Sequence, residues 1–137
     1  MEKKLFKGGC ITIDGRMDEP IWDSVEAHGG FTTTRYQGKG ENKPDEVETY
    51  FKIIPCEDRI YVGVYCEERD MEYVKSTCSL YGTWITDNLE LWFAPSGNDF
   101  STYQFAVTFS GATAANFYSE RATIQPDRFA PEWYSAV

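Results

Sequence analysis

The residues of this chain best placed to do chemistry are Trp84 and the alternating run Asp87-Asn88-Leu89-Glu90-Leu91-Trp92-Phe93-Ala94. Read as a strand, the run turns Leu89, Leu91 and Phe93 to one side and Asn88, Glu90 and Trp92 to the other. One side suits a hydrophobic core; the other offers a flat indole beside a carboxylate and an amide. Such a surface suits a sugar ring, whose C–H face stacks on a π-system while its hydroxyls need acceptors and donors. The competing reading is that Trp84 and Trp92 pack beneath loops, since aromatic residues are ordinary strand and core residues.

The elements that must position these groups are short alternating runs. Tyr103 to Ser110 places Tyr103, Phe105, Val107 and Phe109 inward, with Gln104, Ala106 and Thr108 outward. A following strand, Thr113 to Ser119, brings Asn116 and Tyr118 to the Gln104 and Thr108 side if the two pair. The predicted polar face therefore carries Glu90, Trp92, Gln104, Thr108, Asn116 and Tyr118, with Trp84 beside it.

Nearer the start, Ile11 to Ile13 reads as a strand turned by Asp14-Gly15. Asp18 to Val25 reads as a helical turn: Asp18 caps it, Pro20 fits its first turn, and Trp22 with Val25 makes an apolar pair that anchors the core. An edge strand over Phe31 to Tyr36 precedes a loop through Asp45. Glu46 to Ile54, with Val47, Thr49, Phe51 and Ile53 inward, forms a hairpin with the row Ile60, Val62, Val64 and Cys66. Glu67 to Tyr81 is an acidic loop with a helical turn near Met71 to Val74. With 16% aromatic residues, the pattern predicts an all-β fold: an antiparallel β-sandwich of two sheets with one short N-terminal helical turn.

The 137 residues make one domain by size, and a formal charge of −9 argues against nucleic acid or an anionic membrane as partner. No run approaches the roughly 20 apolar residues of a membrane span. The opening Met1 to Lys7 is basic but has no apolar stretch behind it, so the expected location is cytoplasmic as written, or secreted if a native N-terminus has been removed. Cys10, Cys56, Cys66 and Cys78 permit three disulfide pairings. The lack of a C-x-x-C pair, with His28 the one histidine, argues against a zinc site. Cys66 reads as a small buried hydrophobe with a reduced thiol.

Several motifs stand in a recognisable order: Ile13-Asp-Gly-Arg-Met-Asp-Glu-Pro-Ile-Trp22, Asp58-Arg-Ile-Tyr-Val-Gly-Val-Tyr65, Trp84-Ile-Thr-Asp-Asn-Leu-Glu-Leu-Trp-Phe93 and Tyr103-Gln-Phe-Ala-Val107. Together, over nearly the whole chain, they resemble the family nine-like carbohydrate-binding modules, relatives of DOMON-type β-sandwiches. The resemblance implies a non-catalytic binder of mono- or oligosaccharides, of the kind that accompanies hydrolases. It matches Trp84 to the first of two clamping tryptophans, Glu90 to a carboxylate that accepts from sugar hydroxyls, and Asp87 to an acidic position at the strand start. A sugar-binding Arg and Asn of the family fall near Ala106 and Thr108. The family's second clamp tryptophan lies in strands beyond the region of Trp133, so the resemblance implies half a clamp; Trp133 is a candidate substitute, and the favoured reading of Trp133 and Tyr134 is that they seal the end of the sandwich.

A sandwich lacking those strands leaves an uncovered edge, which predicts a homodimer, strand exchange, a shortened sandwich or a fragment of a longer chain. Family members carry structural calcium; Glu67, Glu68, Asp70 and Glu72 offer oxygen ligands without a loop signature and read as a solvated acidic loop, so no cofactor is expected.

Other function classes find weaker support. A glycoside hydrolase needs a second carboxyl facing Glu90, and only Glu46 or Glu48 suggest themselves. A haem module needs His28 placed with Met17 or Met71. A protein-interaction domain needs only the exposed sheet edge.

Overall fold

The architecture is that of a computed structural model, which describes residues 6–8, 10–33, 43–44, 47–77, 87–95, 97, 101–119, 123–124, 129 and 131–137. The chain packs as two compact units, Met1–Arg69 and Asp70–Val137. Their described strands are all paired antiparallel, in one four-stranded and three two-stranded sheets. Among the described residues no helix is long and apolar enough to cross a membrane.

In the first unit, β1 (Phe6–Gly8) pairs with β2 (Ile11–Ile13), and the predicted Asp14-Gly15 turn follows, Gly15 at φ 85° and Asp14 accepting from Arg16 N. The predicted helical turn is a 3-10 turn over Pro20–Ser24, begun by Glu19 rather than Asp18. Glu19 earns that position with both carboxylate oxygens: Oε1 accepts from Thr12 N at 2.8 Å and Oε2 from Trp22 Nε1 at 3.1 Å. The edge of β2 and the buried indole are thereby tied to one side chain. Then come β3 (Thr32–Thr33), paired with β4 (Lys43–Pro44), and the hairpin of β5 (Thr49–Cys56) and β6 (Arg59–Cys66), closed by Glu57 at φ 57°.

The buried side of this hairpin is the reverse of the expected one. Ile54 and Tyr61 face each other in register and join Trp22 and Ile11 in the core, while Ile53 and Ile60 are 40% and 63% exposed. Trp22 decides the matter, because its broad ring needs a flat seat and Gly63 supplies it. A methyl group at Gly63 would overlap the Met17 thioether and stand 3.0 Å from Trp22 Cη2. Lys52, on the same side, reaches back with Nζ to the Trp22 carbonyl at 2.7 Å. Alternation found the strands but not which face the tryptophan would choose. Cys66 lies at the exposed end of β6, not in the core as expected. Cys10 is bonded to Cys56, joining the turn after β1 to the tip of the hairpin with Cα atoms 6.6 Å apart; Cys78 lies outside the described residues.

The second unit opens with α1 (Met71–Thr77), longer than the helical turn expected there, its start fixed by Asp70 Oδ1 accepting from Tyr73 N. β7 (Asn88–Phe93), β8 (Ser101–Thr108), β9 (Thr113–Ser119) and β10 (Thr123–Ile124) form a sheet in the order β10-β9-β8-β7. One face of this sheet is aromatic. Phe105 meets Phe93, Phe129 and Trp133 edge-on, at ring separations of 5.9, 5.7 and 5.2 Å, and Tyr103 packs on Phe117 and Phe129. Trp133 packs on this face against Phe105, whereas Tyr134, expected to seal the sandwich with it, is exposed and donates its hydroxyl to Glu132. Phe109, expected in the inward row, sits in the β8–β9 loop and is exposed, because that loop turns back through Gly111 at φ 81°.

Candidate functional site

The opposite face of the β7–β9 sheet brings together the polar and aromatic residues expected there. Register places Trp92, Gln104 and Asn116 in one row across the strands, and Glu90, Ala106 and Ala114 in the next. Trp92 and Tyr118 stand on the strands flanking β8, yet their rings lie 5.3 Å apart at 32°. Neighbouring strands are about 4.8 Å apart, so this pair spans the central strand and roofs Gln104, which is 4% exposed.

Beneath that roof the hydrogen bonds run one way. Gln104 Oε1 accepts from Tyr118 Oη at 2.8 Å and from Asn116 Nδ2 at 3.1 Å. Gln104 Nε2 donates to Glu90 Oε2 at 2.9 Å, and the same oxygen accepts from Trp92 Nε1 at 3.1 Å. A carboxylate can only accept, so its presence orients the Gln104 amide and, through it, the Tyr118 hydroxyl. An indole N–H lies in the ring plane; Glu90 therefore sits at the edge of Trp92 and covers neither ring face. Glu90 is exposed, and Trp92 is 52% exposed.

The expected site residues divide by what they can touch. Glu90 and Trp92 face solvent, and Asn116 and Tyr118 are half-buried beside them. Gln104 lies on the expected face but beneath the ring pair, where it positions Glu90. Thr108, 2% exposed, is not part of an open surface: its hydroxyl bonds Ser110 Oγ at 2.9 Å and accepts from Ala112 N at 3.1 Å, closing the β8–β9 loop. Trp84 lies outside the described residues. Trp133 stands on the aromatic face of the sheet, away from Glu90.

No family model, curated protein or solved structure matches the chain. The chemistry of this face therefore rests on its own geometry. Both hydrogen bonds given to Glu90 come from nitrogen donors, an indole and an amide, so the arrangement is that of an oriented acceptor beside a stacking ring.

Among the described residues no group of three or more His, Cys, Asp or Glu side chains is placed to hold a metal ion. Of the acidic residues offered for calcium, Glu67 accepts from Glu48 N and pairs with Arg69, Asp70 starts α1, and Glu72 pairs with Lys75. His28 exchanges backbone hydrogen bonds with Phe51 and packs its ring 5.3 Å from that residue. Met17 packs toward Gly63.

One feature escaped the alternation pattern. In the first unit a cavity of about 630 Å³ is lined by Gly29, Gly30, Phe31, Glu48, Thr49 and Tyr50, among others. Tyr50 stacks on its cross-strand partner Tyr65 at 5.1 Å and 18°. The signal available in the sequence was the Gly29-Gly30 pair before an aromatic residue, which reads equally as a loop ending.

Proposed function

We propose that this chain is a non-catalytic carbohydrate-binding domain, a β-sandwich that takes mono- or oligosaccharides on the polar face of β7–β9. The observation that carries the proposal is the exposed Trp92 ring with Glu90 fixed at its edge by two nitrogen donors. A sugar stacked on the indole finds an acceptor for its hydroxyls already aimed, with Asn116 and Tyr118 on the same sheet face. Trp84 is the further stacking residue that the resemblance assigns to this site.

With one stacking ring and a few hydrogen bonds, each worth about 1 kcal/mol net, the expected dissociation constant is on the order of 0.1 to 1 mM. Calorimetric or ligand-observed NMR titration with glucose, xylose, cellobiose and xylobiose tests this. Binding that disappears in Trp92→Ala supports the site; a flat response to every sugar, or binding that Trp92→Ala leaves intact, overturns it.

A further inference from the structure

We infer that the Glu90 and Trp92 surface selects sugars carrying a protonated amine over their neutral counterparts. The inference rests on the carbohydrate-binding reading and names the class of sugar within it. Three observations lead there, and the first is the direction of the hydrogen bonds. Each described bond of the network runs toward Glu90: Tyr118 and Asn116 give to Gln104, and Gln104 and Trp92 give to Glu90. These bonds leave acceptor capacity at Glu90 Oε1, the Tyr118 oxygen and the Asn116 carbonyl, against one remaining amide hydrogen each on Asn116 and Gln104, and the one formal charge among them is the carboxylate's.

The second observation is charge. By strand alternation the polar face of β7–β9 carries Asn88, Glu90, Trp92, Gln104, Asn116 and Tyr118 with small residues between them, and holds no Lys, Arg or His. Among the described residues of this sheet face Glu90 thus stands without a cation, in a chain of formal charge −9.

The third observation is the ring pair. Trp92, half exposed, and Tyr118, 5.3 Å from it, offer π-surface at the edge of which the carboxylate sits. An ammonium group over an indole face is attracted by the ring quadrupole, and here a carboxylate lies within the same reach. A neutral hydroxyl gains from neither the charge nor the quadrupole to this extent. A hexosamine combines the apolar sugar face that stacks with the cation that the carboxylate and ring favour.

The test compares D-glucosamine hydrochloride with D-glucose on the full chain, by saturation-transfer NMR and calorimetry at low and high sodium chloride. Glucosamine is expected to bind about three- to tenfold more tightly, the range that an exposed cation–π contact and a partly screened ion pair allow. The advantage should shrink with added salt, a measurement that needs no variant. In Glu90→Gln, whose side-chain carbonyl can still accept from Trp92 and Gln104, the two sugars should bind alike. Equal affinities in the native chain overturn the preference and leave the carbohydrate reading standing. An advantage that survives both salt and Glu90→Gln overturns the role given to Glu90. Loss of response to both sugars overturns the carbohydrate reading itself, and the preference with it.

Discussion

Gln104 holds Glu90 from below: its amide nitrogen donates to the carboxylate at 2.9 Å while its oxygen is clamped by Asn116 and Tyr118. The exposed acceptor of the proposed site is aimed by a side chain that solvent barely touches. Replacing that amide by a hydrocarbon of similar size leaves two donors and a carboxylate without their partner. Gln104→Leu should cost about 1 to 3 kcal/mol in a urea unfolding experiment and should weaken sugar binding although Gln104 lies beneath the ligand. Tyr118→Phe keeps the ring over Gln104 and removes one hydrogen bond, so its cost should stay at about 0.5 to 1.5 kcal/mol.

Gly63 is flat by necessity. The Met17 thioether and the Trp22 ring occupy the space where a side chain would begin. Gly63→Ala should destabilise the chain by about 1 to 3 kcal/mol through overpacking, read as a lower denaturant midpoint with an unchanged slope. Substituting Gly97, which has open space around the position its Cβ would take but φ 64°, tests backbone strain without crowding.

The Cys10–Cys56 bond closes a loop with a sequence separation of 46 residues. Constraining the unfolded chain in this way is typically worth about 2 to 4 kcal/mol. Dithiothreitol, or the double variant Cys10→Ser with Cys56→Ser, should lower the melting temperature accordingly. The sugar response of the β7–β9 face should persist wherever the sheet remains folded.

Glu67 should titrate below the ordinary glutamate range. The chief cause is the Glu48 backbone N–H, which donates to Glu67 Oε2 at 2.9 Å; slight desolvation pulls the other way, and Arg69, at 3.5 Å, adds to the lowering. Because the folded value lies below the unfolded one, the associated stability is present above the ordinary range and is lost as pH falls through the folded value. Carboxyl-carbon NMR should find its midpoint below the ordinary glutamate range. Arg69→Gln should raise it only partway, since the larger cause is a main-chain donor.

Much of the strand pattern was legible because alternation in this chain is strong. Thr113 to Ser119 is a strand to the residue, and β7 and β8 fall within two residues of expectation. The shared face of Glu90, Trp92, Gln104, Asn116 and Tyr118 followed from the same periodicity, since pairing in register preserves sidedness. Burial on that face was not legible. Gln104 and Thr108 are polar, and only the ring pair above one and the loop around the other show why solvent does not reach them. The β5–β6 hairpin misled for a related reason: Ile53 and Ile60 look like core, but Trp22 docks on the side that a glycine leaves open. Periodicity reports two faces, and a bulky partner from elsewhere in the chain chooses between them.

The aromatic face of the β7–β9 sheet is covered by Phe129 and Trp133, which follow all three strands in the chain. On the ribosome, the hairpins of this sheet emerge with Phe93, Phe105 and Phe117 lacking that cover until Trp133 has cleared the exit tunnel. A chain cut short before Phe129 should therefore expose this row of rings, the kind of apolar surface that makes incompletely folded chains prone to aggregate.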